Sequence, residues 1–246
     1  AFQALGDWRT ALTYFEQARE RHRDSGDRDG EATALANIGT VHLGRRSWPE
    51  AISILRQALK AVESLGDRDA EATLLNNLAV AFQGLGDLIG AVEHLSKALK
   101  LHQEIGNRSM EGTILNNLGS LSYRARDLTR AREYLEAALT IRLETNDTAD
   151  AATILSNLGT LSSTEGNTAG AITYHERALQ LRQETEDHEG EAQSLYKLAL
   201  VLASDGERKE AAHLLSRAID LDTAYDLPSQ ERDRNALAAV LASIDP

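Results

Sequence analysis

Apolar and polar positions along this chain recur with a period of 40 residues. Leu35-Ala36-Asn37-Ile38-Gly39 returns as Leu75-Asn76-Asn77-Leu78-Ala79, Leu115-Asn116-Asn117-Leu118-Gly119 and Leu155-Ser156-Asn157-Leu158-Gly159, and in altered form as Leu195-Tyr196-Lys197-Leu198-Ala199. Leu35, Ile38 and His42 follow an i, i+3, i+7 spacing, so they share one face of a helix, while Thr33, Asn37 and Thr40 take the opposite face. A constant period of this length marks a stacked repeat protein, in which each unit packs mainly on its neighbours.

The pattern predicts two helices per repeat, at about 29–44 and 48–65. Further pairs are expected at 69–84 and 88–105, 109–125 and 128–145, 149–165 and 168–185, and 189–204 and 208–221. Residues 1–6 read as the tail of an earlier helix, and Asp7 as the cap of one that runs to Ser25. Asp87, Asp127 and Asn167 repeat that cap, Gly26, Gly66 and Gly106 supply left-handed stops, and Pro49 suits a first turn. Pro228 breaks the series before a last helix at 230–244. The expected organisation is a partial first repeat at 1–28, mainly its second helix, and five units at 29–68, 69–108, 109–148, 149–188 and 189–221. A linker and C-terminal capping helix then take 222–246.

Small residues hold register in the second helix of each pair. Ala51, Ala91, Ala131, Ala171 and Ala211 open it, and Ala58, Ala98, Ala138, Ala178 and Ala218 follow seven residues later on the same face, where short side chains permit close helix approach. Leu55, Leu95, Leu135 and Leu215 lie between them, and His175 breaks that column. A large apolar position at Trp8, Trp48, Leu88 and Leu128 becomes Thr168 and Arg208.

These columns resemble the tetratricopeptide repeat (TPR) family, whose signature has Leu-Gly in the first helix and Ala-x3-Phe in the second. Here Leu35-x2-Ile38-Gly39 is followed by Ala51-x3-Leu55 and Ala58. The family's usual unit has about 34 residues, so each unit here carries about six more, between the second Ala and the next first helix. Longer units of this kind look like those of kinesin light chains, Pins-type polarity scaffolds and the sensor arrays of bacterial signalling ATPases. The resemblance implies an all-α, right-handed superhelical solenoid of antiparallel helix pairs, with the first helix of each pair lining a concave groove.

That groove would present Thr33, Thr73, Thr113 and Thr153, then Gln193, and beside them Asn37, Asn77, Asn117 and Asn157, then Lys197. Asn76 and Asn116 flank the Asn column. Asn is a poor helix former, so its return at one register calls for a cause. One cause is recognition of a peptide backbone by side-chain amides, each of which offers a donor and an acceptor. The other is a ladder that ties neighbouring helices together, or plain inheritance by duplication. Arg124 and Lys197 could grip a carboxylate or serve as solvated surface charge.

Composition narrows the function. The net charge of -12 argues against a nucleic-acid partner, which would need a basic face. Without cysteine, disulfides and thiolate metal sites are excluded. No apolar run has the roughly 20 residues that would cross a bilayer, and no signal peptide is visible, which points to the cytoplasm. Asn107-Arg-Ser109 and Asn146-Asp-Thr148 are read as chance glycosylation triplets. His22, His42, His94, His102, His175, His188 and His213 are scattered without metal-ligand spacing, and His94 with His102 reads as a surface pair. No cofactor is expected. The chain starts within a repeat, as a fragment of a larger signalling or scaffold protein would.

The reading is a non-catalytic protein–protein interaction module that binds a protein or peptide segment in its groove. The alternative is a structural module that stacks on itself, or on other domains of its parent, through exposed terminal repeat faces such as Phe2, Leu5, Trp8, Leu12 and Phe15.

Overall fold

The computed structural model describes residues 8–244. The expected cap Asp7 and the apolar Phe2 and Leu5 lie outside the described residues. Among the described residues there are α-helices and turns and no strand. The helices are α1 (Trp8–Ser25), α2 (Arg28–Gly44), α3 (Trp48–Leu65), α4 (Arg68–Gly84), α5 (Leu88–Ile105) and α6 (Arg108–Arg124). They continue as α7 (Leu128–Glu144), α8 (Thr148–Thr164), α9 (Thr168–Glu184), α10 (His188–Asp205), α11 (Arg208–Ala224) and α12 (Gln230–Ala242). The chain therefore has the all-α class and the consecutive helix pairs that its periodicity predicts.

Most helix boundaries have a local cause. Asp87, Asp127 and Asn167 accept a hydrogen bond from the backbone N–H three residues on, at 2.8, 3.1 and 3.0 Å. The first helices of the pairs carry the same device at Asp27, Asp67, Asp147 and Asp187. Both turns of a repeat pass through a left-handed residue. One column is Gly26, Gly66, Gly106, Asn146, Glu186 and Asp226, and the other is Arg46, Gly86, Arg126, Gly166 and Gly206.

The chain divides into two compact units, residues 1–121 and 122–246. In the N-terminal unit, Leu35, Leu74 and Leu78 from the first helices meet Ala51, Leu55, Ala58 and Val62 of α3 in one apolar cluster. Burying each Leu contributes roughly 1.5–3 kcal/mol. The glycines set the closeness of approach. A Cβ at Gly39 would stand 2.5 Å from Leu55, and one at Gly84 would stand 2.4 Å from the Trp48 ring. Gly44 receives Trp8 in the same way, at 2.6 Å.

In the C-terminal unit, Leu195, Leu198, Leu202, Ala211, Leu215 and Ala218 form the corresponding cluster. Val240 and Leu237 of α12 join it, with Ile244 from the turn that follows; the helix expected to reach 244 ends at Ala242. Leu241, expected in the same apolar stripe, is 50% exposed. α12 turns Asp233, Leu237 and Val240 inward at i, i+4 and i+7, which leaves position 241 outside. His175 takes the place of the missing leucine and is buried, with its ring against Gly159 at 2.7 Å from a would-be Cβ.

Candidate functional site

The amphipathic split of the first helices is as sharp as their sequence suggests. Leu35, Ile38, Leu75 and Leu78 are buried, whereas Thr33 and Thr73 are exposed and Asn37 and Asn77 half-buried. In the N-terminal unit the polar faces of α2 and α4 meet around a depression of about 230 Å3. Thr33, Asn37, Thr40, Thr73 and Asn77 line it, Ala32, Ala36, Ala70 and Leu74 form apolar parts of its wall, and Asp29 and Asp67 stand among its lining. Asp67 spends one oxygen on the cap of α4, bonding Ala70 N at 3.0 Å. Thr40 turns its hydroxyl to Ala36 O at 3.0 Å.

The remaining members of the two columns are placed differently. Asn76 does not line the depression, and its Oδ1 is buried without a hydrogen-bond partner. Thr113, Asn116 and Asn117 are half-buried on α6, and the Thr113 hydroxyl bonds back to Ser109 O at 3.3 Å. In the C-terminal unit Thr153 is exposed and bonds back to Ala149 O at 3.3 Å, Asn157 is half-buried, and Arg124 is exposed. Lys197 donates to Ser156 Oγ at 2.9 Å. Burial pushes the Lys197 pKa down, and the neighbouring cations Arg182 and Arg232 add to the shift. Lys197 and Arg124 are thus cations in different settings: one is half-buried beside other cations, the other faces solvent.

The histidine pair expected at the surface is not there. His102 is 1% exposed and neither ring nitrogen has a hydrogen-bond partner. His94 is half-buried, stacked on Phe82 at 4.8 Å, with Nδ1 2.7 Å from Gly90 O. Burial lowers the pKa of His102, against the fields of Asp69 and Glu111. His175 is pushed down to about 4, first by burial and then by Lys197 and Arg182. Among the described residues no group of three or more His, Asp or Glu could hold a metal ion.

One column escaped the sequence reading although it keeps the same period: His22, Val62, His102, Arg142, Arg182 and Asp222. All but His22 are buried. It sits near the end of each second helix and ties that helix to the start of the next pair. His22 Nδ1 lies 2.8 Å from Asp27 Oδ2, Arg142 reaches Asp150 at 2.9 Å, and Arg182 Nη1 donates to Gly190 O at 2.6 Å and Ser194 Oγ at 2.9 Å. Its signal was present: charged residues recur eleven positions after the first Ala column, on the helix face that carries those alanines.

Paired helices in a 40-residue register, with a polar uncharged face on the first helix and small residues between helices, define an all-α helical-repeat protein. The tetratricopeptide repeat profile matches residues 1–64, 70–144 and 150–224, and the chain belongs to the tetratricopeptide repeat family. None of the curated proteins matches it in sequence. Among solved structures it is similar to BtubC (BKLC) from P. vanneervenii, with a TM-score of 0.78, 24% identity, and coverage of 89% of this chain and 92% of that one. It is also similar to a Signal Transduction ATPase with Numerous Domains from Pyrococcus horikoshii that carries a tetratricopeptide repeat sensor. There the TM-score is 0.82 at 18% identity, over 97% of this chain and 37% of the other. A Rap protein complexed with Competence and Sporulation Factor matches with a TM-score of 0.64 at 17% identity, over 98% of this chain and 72% of the Rap chain. These likenesses concern the fold. Among the described residues no helix is long and apolar enough to cross a membrane.

Proposed function

We propose that this chain is a non-catalytic interaction module that binds an extended or helical polypeptide segment along the Thr/Asn face of its first helices. The observation that carries the reading is the depression between α2 and α4. It gathers Thr33, Asn37, Thr73 and Asn77 around one concavity, with backbone-sized apolar wall between them. Side-chain amides can bond both N–H and C=O of a peptide, and no charge on the ligand is required. The Rap complex supports a ligand-binding role by likeness of fold. The residues assigned to the face are Thr33, Asn37, Thr73, Asn76, Asn77, Thr113, Asn116, Asn117, Arg124, Thr153, Asn157 and Lys197. Five repeats would share the work, with α1 and α12 closing the ends. A cytoplasmic setting, no nucleic-acid partner and no membrane insertion complete the proposal.

The test starts from a peptide selected on the whole chain from a displayed random library. Replacing Asn37 and Asn77 together by Ala should weaken that peptide by about 1–3 kcal/mol, since each hydrogen bond is worth roughly 0.5–1.5 kcal/mol net. Titration calorimetry would read this as about a five- to hundredfold loss of affinity. The melting temperature should hold or rise, because Ala is the better helix former. A stable double mutant that binds at full strength removes the two amides from the mechanism. A second reading, assembly through terminal faces, has Tyr14 in its favour, 57% exposed on α1 beside half-buried Trp8, Leu12 and Phe15. Light scattering that shows mass growing with concentration, and a Tyr14→Ser variant that stays monomeric, would favour it.

A further inference from the structure

Two buried acids lie at the junction of α11 and α12. Asp222, near the end of α11, is 1% exposed, and Asp233, in the first turn of α12, is 0% exposed. Each carboxyl has one oxygen engaged: Ser229 Oγ donates to Asp222 Oδ1 at 2.5 Å, and Arg232 Nε donates to Asp233 Oδ1 at 2.5 Å. The other oxygen of each, Oδ2, is buried and accepts from no donor. Both acids converge on Ser229, whose Oγ bonds Asp222 while its carbonyl accepts from Asp233 N at 3.1 Å, so the two carboxyls are close neighbours. Two ionised carboxylates so placed would both be acceptors and would repel. One proton between them turns the contact into a donor–acceptor pair. We propose that Asp222 and Asp233 share one proton, and that this proton latches α12 onto α11 as a cap that rising pH releases.

The charged and titratable groups around the pair are few. On α12, Arg232 faces Asp233, while Glu231 and Arg234 are exposed. From α10, Tyr196 lies under the Arg232 guanidinium at 4.1 Å, Lys197 stands beside it, and His188 stacks on Tyr225 at 3.9 Å. The connecting turn adds Asp226, which is exposed, and the uncharged Ser229. Among the described residues Arg232 is the cation that bonds the pair, and it balances one carboxylate, not two. Burial raises the Asp233 pKa most; the neighbouring Asp222 raises it further, and Arg232 opposes both. The rest of the dock is modest in size. Val240 is buried, with Ala236, Leu237 and Ile244 in partial contact. Gln230 Nε2 bonds Thr223 Oγ1 at 2.7 Å. Release would uncover these apolar contacts and lift Arg232 off Tyr196, the neighbour of Lys197 on the inner face. The latch does not depend on what that face binds.

The sign follows from the raised carboxyl pKa. Docking is strongest where the carboxyl would be protonated even when undocked, below about pH 4. It then weakens about tenfold per pH unit up to the pKa of the docked pair, because the docked form holds one more proton. Carboxyl carbon resonances and amide protection factors of residues 230–242, followed in the whole chain from about pH 4 to pH 8, test this directly. One of the two carboxyls should titrate well above the ordinary range near 4. Protection of α12 should fall with the slope given, while α10 keeps its own. Asp233→Asn supplies a permanent donor to Asp222 and should keep α12 protected at the alkaline end. Should that variant fail to dock at any pH, Asp222→Asn provides the same donor from the other side. Two ordinary carboxyl titrations, or protection of α12 indifferent to pH, would overturn the proposal. So would restoration of alkaline protection by millimolar calcium, which would show a bridging cation in place of the proton.

Discussion

In the N-terminal unit Trp8 and Trp48 press on Gly44 and Gly84, Val62 fills the end of α3, and Leu55 sits on Gly39. At the equivalent places in the C-terminal unit Thr168 and Arg208 stand for the tryptophans, Arg142, Arg182 and Asp222 for the valine, and His175 for the leucine. One 40-residue plan is thus executed with mostly apolar joints in the first half, where His102 is the buried exception, and with polar residues at more of its joints in the second, where Leu128, Leu135 and Leu215 keep the apolar filling. The difference shows that register and small-residue columns are enough to specify the helix pairs. The filling of each joint decides what breaks it: loss of volume in the first half, change of protonation in the second.

The largest effect should come from emptying an apolar joint. Trp48→Ala removes an indole whose ring sits where Gly84 has no side chain, and should cost the N-terminal unit about 3–4 kcal/mol, near the low end for such truncations because Trp48 is half-buried. Thr168→Ala, at the same register in the C-terminal unit, should cost about 1 kcal/mol or less. Urea unfolding monitored by hydrogen exchange would separate the halves. Equal losses at the two positions would mean that the joints do not differ as described.

Acid should act in the opposite direction. His175 is 2% exposed and its pKa is held down to about 4, below the ordinary 6.5. The folded state therefore favours the neutral ring. The stabilisation is fully present above about pH 6.5 and is lost as pH falls through that value toward 4, up to about 3 kcal/mol. His175→Leu restores the column of Leu55, Leu95, Leu135 and Leu215. It should leave residues 149–205 equally protected at pH about 4.5 and 7, where the native chain loses protection at the lower value. An acid response unchanged by His175→Leu would place the titrating group elsewhere.

The helix pairs were legible because they rest on local rules: period, caps and small-residue columns, each visible within one repeat. Helix starts such as Trp48, Leu88, Leu128 and Thr168 fall at the residues the pattern indicates. The Thr/Asn face was legible too, since amphipathicity alone separates Thr33 and Asn37 from Leu35 and Ile38. What the pattern concealed was polar burial. His102 was expected at the surface, and Arg142, Arg182 and Asp222 went unremarked although their register puts them on the alanine-bearing face. Their burial depends on what the next pair brings over them, and that is information from another repeat. The second left-handed column was missed for a related reason. Arg46 and Arg126 alternate in it with Gly86, Gly166 and Gly206, so the glycine signal is interrupted.

The smallest effect concerns the first left-handed column, where the halves again differ. Gly26, Gly66 and Gly106 serve the N-terminal unit, and Asn146, Glu186 and Asp226 serve the other. Glu186 holds φ 55, a conformation that costs an L-residue with a Cβ about 1–2 kcal/mol and glycine nothing. Its backbone carries the turn, donating to Gln183 O at 3.3 Å and accepting from His188 N at 3.1 Å, and its side chain is exposed. Glu186→Gly should therefore keep both bonds and relieve the strain. Glycine's extra freedom in the unfolded chain offsets part of the gain, by about 0.5–1 kcal/mol. The net expectation is a C-terminal unit more stable by about 0.5–1 kcal/mol, with Gly66→Glu destabilising the N-terminal unit by a similar amount. The two substitutions exchange the residues of the two halves at one register. If thermal melts show both substitutions destabilising, the Glu186 side chain contributes something beyond the turn, and this column does not distinguish the halves in the way proposed.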